Sequence, residues 1–382
     1  MNITVAIDSL KGSLSSIEAG HAIAEGIHRV YPEASVQIRP LADGGEGTVD
    51  ALVDGMNGIF RSIMVTGPLD EPVSAKYGII ENTNTAVMEM SQAAGITLVP
   101  SEHRNPLYTT TYGVGEMIKD AITMGCRRFI MGIGGSATND GGIGMLQALG
   151  YEFLNEKGEQ IPFGAKGMKE LKYISAEHVL PELKECEFRI ACDVTNTLCG
   201  EYGCSAVFGP QKGADPSMIA QMDQWLSDYA KLAYKTFPKA NPEYPGTGAA
   251  GGLGFAFLTF TNSTLESGIK IVLEETHLEE YLRNADYVIT GEGRLDKQTA
   301  MGKAPIGVAK LAKQFGKPVI AFSGSVTKDA VACNEYGIDA FFPILRSVVT
   351  LEEAMDSHNA SQNMSDTVEQ VFRLIRTTER NR

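Results

Sequence analysis

The 382-residue sequence predicts an α/β protein with two α/β domains, and two observations support this prediction. The first forty residues pass from an apolar run at 3–7, through a helical stretch that begins near Ser15, to an alternating run at 35–39. The last hundred residues repeat this alternation of short apolar runs and helical stretches. Strands that alternate with helices form parallel crossovers. Both chain ends are therefore expected to form one doubly wound, flavodoxin- or Rossmann-like parallel sheet.

Local patterns justify the individual elements. Ser15 and Glu18 stand three residues apart, as in a capping box, and apolar residues then recur at helical spacing. In the C-terminal part, apolar runs predict strands and the stretches between them predict helices. These strands are expected at 285–290, 317–322 and 338–344, the helices at 305–315 and 328–336, and a helical tail at 351–382.

The middle of the chain predicts a second α/β domain, inserted between the two ends. Segment 66–72 contains two prolines and a glycine, a composition typical of a linker. We expect one domain from residues 1–68 plus 283–382, a second from 69–282, and the active site in the cleft between them. In the second domain, a helix is expected at 113–124 and strands at 128–131, 151–154 and 187–192.

Composition and charge limit the function classes. The chain has 33 lysines and arginines against 47 aspartates and glutamates, a formal net charge of −14. Such a negative field repels nucleic acid and anionic membrane surfaces, and no apolar run is long enough to cross a membrane. The first residues do not resemble a signal peptide. We expect a cytoplasmic protein with no nucleic acid or membrane partner, and we leave open whether it forms a homo-oligomer.

Clusters of glycine indicate ligand-binding loops. The 41 glycines gather in a few segments, and no G-x-x-x-x-G-K-[ST] motif occurs, which excludes an ordinary P-loop NTPase. Segment 132–137 follows a predicted strand and matches G-x-G-x-x-[GA], with Glu152 at the distance of a ribose-binding acid. An NAD(P)-dependent oxidoreductase is therefore one alternative.

Acidic and basic side chains, together with glycines, follow four of the predicted strands. Ligands of open α/β sheets bind beyond the carboxyl ends of strands. Phosphoryl transfer needs cations for phosphate charge, carboxylates for Mg²⁺ and for a base, and glycine where backbone approaches the ligand. The pattern favours a phosphotransferase, with a non-catalytic small-metabolite-binding protein as the second alternative. The charged residues are Asp8 and Lys11, Asp43 and Glu46, Asp193 and Lys212, and Glu292, Arg294 and Asp296.

At these residues the sequence resembles the glycerate kinase family of bacterial and related enzymes, often called type I. The family pattern usually has Phe where Leu10 stands and Pro where Thr197 stands. The resemblance implies ATP-dependent phosphorylation of D-glycerate, at the 2-hydroxyl, giving 2-phosphoglycerate and ADP. It also implies two α/β domains with the site between them. The motifs, which span nearly the whole chain, lie at 6–13, 40–48, 134–142, 208–214, 248–254 and 290–296.

We assign roles to these residues as a hypothesis, with ATP and Mg²⁺ on the glycine loops. Lys11 and Lys212 contact phosphate oxygens, and Arg294 binds the glycerate carboxylate or the transferring phosphoryl group. Asp193 deprotonates the attacking hydroxyl, with Asp43 as its rival. The expected Mg²⁺ ligands are Glu46, Glu292 and Asp296. Further residues expected to bind substrate or nucleotide are Asp8, Ser13, Gly44, Gly45, Gly134, Gly135, Ser136, Thr138, Asn139, Asp140, Gln211, Gly251, Gly252, Gly293 and Lys303.

Overall fold

A computed structural model describes residues 1–42, 44–45 and 47–379. The chain divides into two compact units. The end unit comprises 1–43, 50–57 and 269–382, and the middle unit comprises 44–49 and 58–268. The domain division made from the sequence, with boundaries at 68/69 and 282/283, stays a prediction. In the described ranges, no helix combines the length and the apolar character that crossing a membrane would require.

Strands and helices alternate along most of the chain. The strands are β1 (Asn2–Val5), β2 (Ser35–Ile38), β3 (Ile59–Thr66), β4 (Pro72–Ile80), β5 (Thr85–Glu89), β6 (Arg128–Gly132), β7 (Glu152–Leu154), β8 (Tyr173–Ser175), β9 (Glu187–Ala191), β10 (Ser263–Glu266), β11 (Tyr287–Leu295), β12 (Val319–Val326) and β13 (Ala340–Pro343). The α-helices are α1 (Ser16–His28), α2 (Thr48–Gly55), α3 (Ser91–Ala94), α4 (Tyr112–Thr123), α5 (Ile143–Ala148), α6 (Cys204–Phe208), α7 (Pro216–Thr236), α8 (Ala249–Phe260), α9 (Gly268–Glu275), α10 (Leu278–Arg283), α11 (Lys297–Ala300), α12 (Ala304–Gln314), α13 (Leu351–Met355) and α14 (Ser357–Glu379). Short 3-10 helices include Pro210–Lys212 and Lys328–Tyr336.

The end unit is built on a parallel sheet with the strand order β13-β12-β11-β1-β2. Strands from both chain ends meet at its centre, which confirms the predicted doubly wound sheet. The expected capping box opens α1, since the Ser15 hydroxyl accepts from the Glu18 amide and the Glu18 carboxylate accepts from the Ser15 amide. The apolar side of α1 packs with α14 and β1 in one core, which includes Ile23 and Phe372.

The middle unit is built on a mixed sheet with the strand order β10-β9-β6-β5-β4-β3. Strands β5, β6, β9 and β10 are parallel to one another, whereas β3 and β4 are antiparallel. Strand β6 lies between β5 and β9, so the carboxyl ends of these three strands form one edge. The predicted strands at 128–131 and 187–192 are thus confirmed, and the loops that follow them leave the sheet side by side.

The linker predicted at 66–72 is wrong, because this segment is the turn of a hairpin. Strands β3 and β4 pair from Ile59↔Ile79 to Thr66↔Pro72. The Gly67 amide donates to the Glu71 carbonyl over 2.7 Å, and Asp70 has a φ of 64°. Proline lacks an amide donor, but in the turn and at the start of β4 no donor is needed. Proline and glycine therefore mark a tight reversal here.

Candidate functional site

The structure brings together many predicted residues within the end unit. They line a cavity of about 400 Å³ beyond the carboxyl ends of β1 and β11. Cavities of this size take small-molecule ligands. Two predicted residues, Asp43 and Glu46, lie outside the described residues. The cavity-lining residues predicted from the sequence are Asp8, Lys11, Ser13, Glu292, Gly293, Arg294, Asp296 and Lys303.

The loop between β1 and α1 supplies a buried acid and a buried hydroxyl. The Asp8 amide donates to the Gly291 carbonyl over 2.9 Å, and the Asp8 carboxylate accepts from the Ser9 amide over 2.7 Å. Ser13 follows within the same loop, and its buried Oγ has no partner among the described residues. A buried polar atom without a partner costs free energy unless a ligand or water satisfies it. Ser13 is therefore suited to hold a polar ligand atom.

The acids on and after β11 are fixed by hydrogen bonds. Strand β11 continues to Leu295, so Glu292 and Arg294 lie on the strand rather than in the expected loop. The buried Glu292 accepts from Thr299 Oγ1 over 2.5 Å and lies 3.7 Å from Lys303 Nζ. Asp296 caps α11 through the Gln298 and Thr299 amides. These contacts hold both carboxylates at the cavity wall.

The charges around this cavity balance. Lys11, Arg294 and Lys303 face three carboxylates in the same lining, and Arg294 Nε lies 3.9 Å from Asp296 Oδ2. The described lining therefore has no excess of cations over carboxylates. Lys212, the fourth basic residue predicted to contact the ligand, is buried in the middle unit.

No group of three metal-ligating side chains occurs among residues 1–42, 44–45 and 47–379. Mg²⁺ at a nucleotide is usually held by one or two carboxylates and by phosphate oxygens, so such a group is not required. Glu292 and Asp296 have the oxygen chemistry that this ion prefers. Their role as Mg²⁺ ligands stays a prediction.

In the middle unit, Lys212 is buried and holds a glycine loop. It is 2% exposed, and its Nζ donates to Ser136 Oγ over 2.8 Å and to the Thr138 carbonyl over 2.6 Å. Burial lowers the pKa of Lys212 to about 8. The nearby Cys204 and Asp140 act in the opposite direction and raise this pKa. An ammonium group has three donors, so one N–H has no acceptor among the described residues. Contact between Lys212 and a phosphate stays a prediction.

Asp140 and Asn139 fix the shape of the same loop. The buried Asp140 carboxylate accepts from the Thr111 amide and hydroxyl and from the amides of Gly142 and Gly144. Burial raises the pKa of Asp140, and these hydrogen bonds oppose the rise. Asn139 Nδ2 donates to Ser205 Oγ over 2.9 Å. Asn139 Oδ1 and Thr138 Oγ1 are buried without a partner among the described residues.

The loop after β6 packs closely against the glycine turn inside α8. Gly251 and Gly252 have φ values of 66° and 95°, and the Gly141 amide donates to the Gly251 carbonyl over 3.0 Å. A Cβ on Gly251 would lie 2.1 Å from the Thr138 carbonyl oxygen. The two loops therefore approach so closely that only glycine fits at this position.

Replacing Gly251 with alanine is expected to lower the free energy of unfolding by about 1–3 kcal/mol, because the new Cβ would displace the Thr138 carbonyl. Gly158→Ala is the matched control, since Gly158 also has a positive φ, of 79°, but open space where its Cβ would be. Urea denaturation of both variants measures the difference. Equal losses in the two variants would contradict the tight contact between the loops.

Asp193 follows β9 and lies at the edge of the sheet beside the Gly134 and Gly135 loop. Ala191 pairs with Gly132, so the two loops leave adjacent strands at the same level. The Gly268 amide donates to Asp193 Oδ1 over 3.2 Å, and the side chain is exposed. An exposed carboxylate with a fixed direction can accept a proton from a substrate hydroxyl.

The remaining predicted residues lie in turns. Gly44 has a φ of 87°, and a Cβ there would lie 2.5 Å from Gly268 Cα, so this glycine allows a close backbone contact near Asp193. The Gly45 carbonyl accepts hydrogen bonds from the Thr48 amide and hydroxyl at the start of α2. Gln211 is exposed beside Lys212 in a 3-10 helix. None of these contacts tests a role in ligand binding.

Sequence reasoning missed Glu89, the last residue of β5. It is buried, pairs in register with Gly132, and accepts from the Val49 amide over 3.3 Å. An acidic residue at the end of an apolar run is a signal in the sequence that could have identified it. Sequence reasoning also missed the apolar wall of the end-unit cavity, which segment 344–360 provides.

The geometry does not support a dinucleotide fingerprint at 132–137. The fingerprint requires a helix directly after the glycine turn, but α5 begins only at Ile143. Glu152 lies in β7, in a small antiparallel sheet with β8, and its Oε1 is 3.1 Å from His178 Nδ1. Neither observation favours the oxidoreductase alternative.

Comparisons with known proteins agree with the resemblance. The sequence profile described as the glycerate kinase family matches residues 3–376. A glycerate kinase from Haemophilus influenzae is 46% identical over 375 residues, covering 98% of this chain and 99% of the relative. The glycerate 2-kinase of Escherichia coli K12 is 48% identical over 354 residues, 93% of each chain. A crystal structure from Salmonella typhimurium LT2, named as glycerate kinase 2, matches with a TM-score of 0.93 and 44% identity over 100% of this chain and 99% of that one. The chain therefore belongs to the glycerate kinase family and is a kinase.

Proposed function

We propose that this enzyme transfers the terminal phosphoryl group of ATP to the 2-hydroxyl of D-glycerate, giving 2-phosphoglycerate and ADP. The names of its relatives, glycerate kinase and glycerate 2-kinase, support the substrate and the position. The observation that supports phosphoryl transfer best is the end-unit cavity, which Lys11, Arg294 and Lys303 line together with Ser13, whose buried hydroxyl has no partner among the described residues. Cations and hydroxyl donors are the groups that bind phosphate.

The charge balance of this cavity fits a nucleotide that arrives with Mg²⁺. Asp8, Glu292 and Asp296 would repel bare phosphate oxygens, although the three cations attract them. When bound, Mg²⁺ would neutralise part of the phosphate charge. Glu292 and Asp296 are the described candidates for holding it, and their hydrogen bonds keep them at the wall.

The middle unit supplies the groups proposed for the acceptor. Asp193 orients the 2-hydroxyl and accepts its proton as the new O–P bond forms, while the Gly268 amide fixes the carboxylate. Lys212 has one N–H left to stabilise the charge of the transferring group. Arg294, in the end unit, binds the glycerate carboxylate or that phosphoryl group. The reaction requires Asp193 and the end-unit cavity to reach one substrate pair, and this stays a prediction.

Phosphorus NMR of the product tests the reaction and its position together. With ATP, MgCl₂ and D-glycerate, we expect a new phosphomonoester signal that couples to a single proton, since C2 of glycerate has one hydrogen. Phosphorylation of the 3-hydroxyl would instead give coupling to two protons. Reactions with L-glycerate, or with EDTA in place of MgCl₂, are the controls. Hydrolysis of ATP without a phosphomonoester product would contradict the proposal.

A further inference from the structure

The end-unit cavity has two chemically different walls. Polar residues from β1, β11 and the loops after them form one wall, described above. The segment that follows β13 forms the other wall and is almost entirely apolar. Its cavity-lining residues are Ile344, Leu345, Leu351, Ala354, Met355, Ala360 and Asn363. Of these two walls, the proposed transfer to glycerate uses only the polar one, so the apolar wall requires a separate explanation.

Part of the apolar wall is exposed to solvent. Leu351 is 78% exposed, and Leu345 and Met355 are also exposed, whereas Ile344 and Ala360 behind them are buried. Helix α13 is nevertheless held in place, because the Thr350 hydroxyl accepts from the Glu353 amide and the Glu353 carboxylate accepts from the Thr350 amide. Exposed apolar side chains that line a cavity suit a ligand with apolar faces.

We propose that this apolar wall binds the adenine base of ATP, with the phosphates directed toward Lys11, Arg294 and Lys303. The proposal rests on the function proposed above, which requires ATP. Glycerate is a small polar acid and gains nothing from Leu351 or Met355. A purine base has apolar faces and polar edges, which matches a wall of this composition.

Asn363 supplies the polar contact that a base needs. It lies on α14 within the cavity lining, and no described residue binds its side-chain amide. An amide offers both donors and an acceptor, so it can pair with an edge of adenine. Leu351 and Met355 then contact the faces of the ring. This arrangement gives the base no contact with the glycine loops that contain Gly141 and Gly251, which pack on each other.

Photolabelling of the whole enzyme with 8-azido-ADP locates the base directly. Trypsin cuts after Arg346 and Arg373, with no lysine or arginine between them, so we expect the label in peptide 347–373. Excess ADP present during irradiation should prevent labelling of this peptide, and excess inorganic tripolyphosphate should reduce it. A label confined to peptide 129–157 or peptide 240–270, which contain the glycine loops, would overturn the proposal.

Titration calorimetry of variants gives a second readout that does not depend on activity. Ala354→Trp should fill the apolar part and weaken ADP binding about tenfold, whereas tripolyphosphate and D-glycerate binding should stay within about twofold. Leu351→Ser, at an exposed position that folding does not require, should weaken ADP binding by a smaller factor. Val331→Trp, exposed on the 3-10 helix at Lys328–Tyr336, is the control. Unchanged ADP affinity in the first two variants, or loss of D-glycerate binding instead, would overturn the proposal.

The two proposals fail in distinguishable ways. If peptide 347–373 is labelled but D-glycerate is not phosphorylated, the proposed function is wrong and the base site stands. If D-glycerate is phosphorylated but the label lies only in the glycine-loop peptides, the base site is wrong and the function stands.

Discussion

Replacing Asp193 with asparagine is expected to lower kcat with D-glycerate by about 10²–10⁴-fold, the usual contribution of a general base. Asparagine keeps the size of the side chain, and its carbonyl oxygen can still accept from the Gly268 amide. The variant therefore loses little except a group that accepts a proton. Initial rates at saturating ATP and D-glycerate measure kcat, and thermal unfolding shows whether the fold is intact.

Asp228→Asn is the matched control for this substitution. Asp228 is an exposed aspartate of the same unit, on α7, where it pairs with Lys231 over 3.1 Å. The parallel variant Asp43→Asn tests the rival base. If Asp193→Asn keeps nearly full kcat while Asp43→Asn loses it, the base is Asp43, and Asp193 has another role.

The elements of the end unit could be predicted because their signals are local. The capping box at Ser15 and the apolar spacing of α1 are interactions within one turn or one helix face. Alternation of strand and helix then fixes the parallel topology with few alternatives. The hairpin turn at 66–72 was mistaken for a linker because proline and glycine favour both, and only the pairing of β3 with β4 distinguishes them.

The candidate site could be predicted only in part. The rule that ligands bind beyond strand ends correctly grouped Asp8 and Lys11 with Arg294, since parallel strands end at one edge. The burial of Lys212 could not be predicted, because it depends on how the loop after β6 folds over it. The apolar wall was missed because residues such as Leu351 have the pattern of an ordinary surface helix.

Replacing Lys212 with methionine is expected to lower kcat at least about 10²-fold, the typical effect of losing one donor to the transition state. It also leaves the buried Ser136 hydroxyl and Thr138 carbonyl without their donor, which costs about 1–3 kcal/mol. Loss of the buried charge offsets part of this cost, because burial lowers the pKa of Lys212. Activity, therefore, is expected to fall far more than stability.

The pH dependence of unfolding distinguishes this lysine from one on the surface. Folded Lys212 has a pKa of about 8, whereas a lysine in the unfolded chain keeps its proton until about pH 10.4. Between these pH values the unfolded state binds more protons than the folded state. The contribution of Lys212 to the free energy of unfolding therefore rises with pH, by up to about 1.4 kcal/mol per pH unit. The ammonium group that holds Thr138 is lost over the same range, so kcat should fall above pH 8.

Urea denaturation of the wild-type protein and Lys212→Met at pH 7, 8, 9 and 10 measures this contribution, with Lys231→Met, an exposed lysine of α7, as the control. Cys204 and Asp140 face Lys212, and burial raises the pKa of Cys204 to about 11, so this thiol also titrates at high pH. All three proteins contain Cys204, but the charge of Lys212 itself lowers the pKa of this thiol, so the comparison stops at pH 10, where the thiol still keeps most of its protons. The free energy of unfolding of the wild-type protein should rise relative to that of Lys212→Met between pH 8 and pH 10. If the difference between the two proteins stays constant over this range, Lys212 keeps its proton in the folded protein.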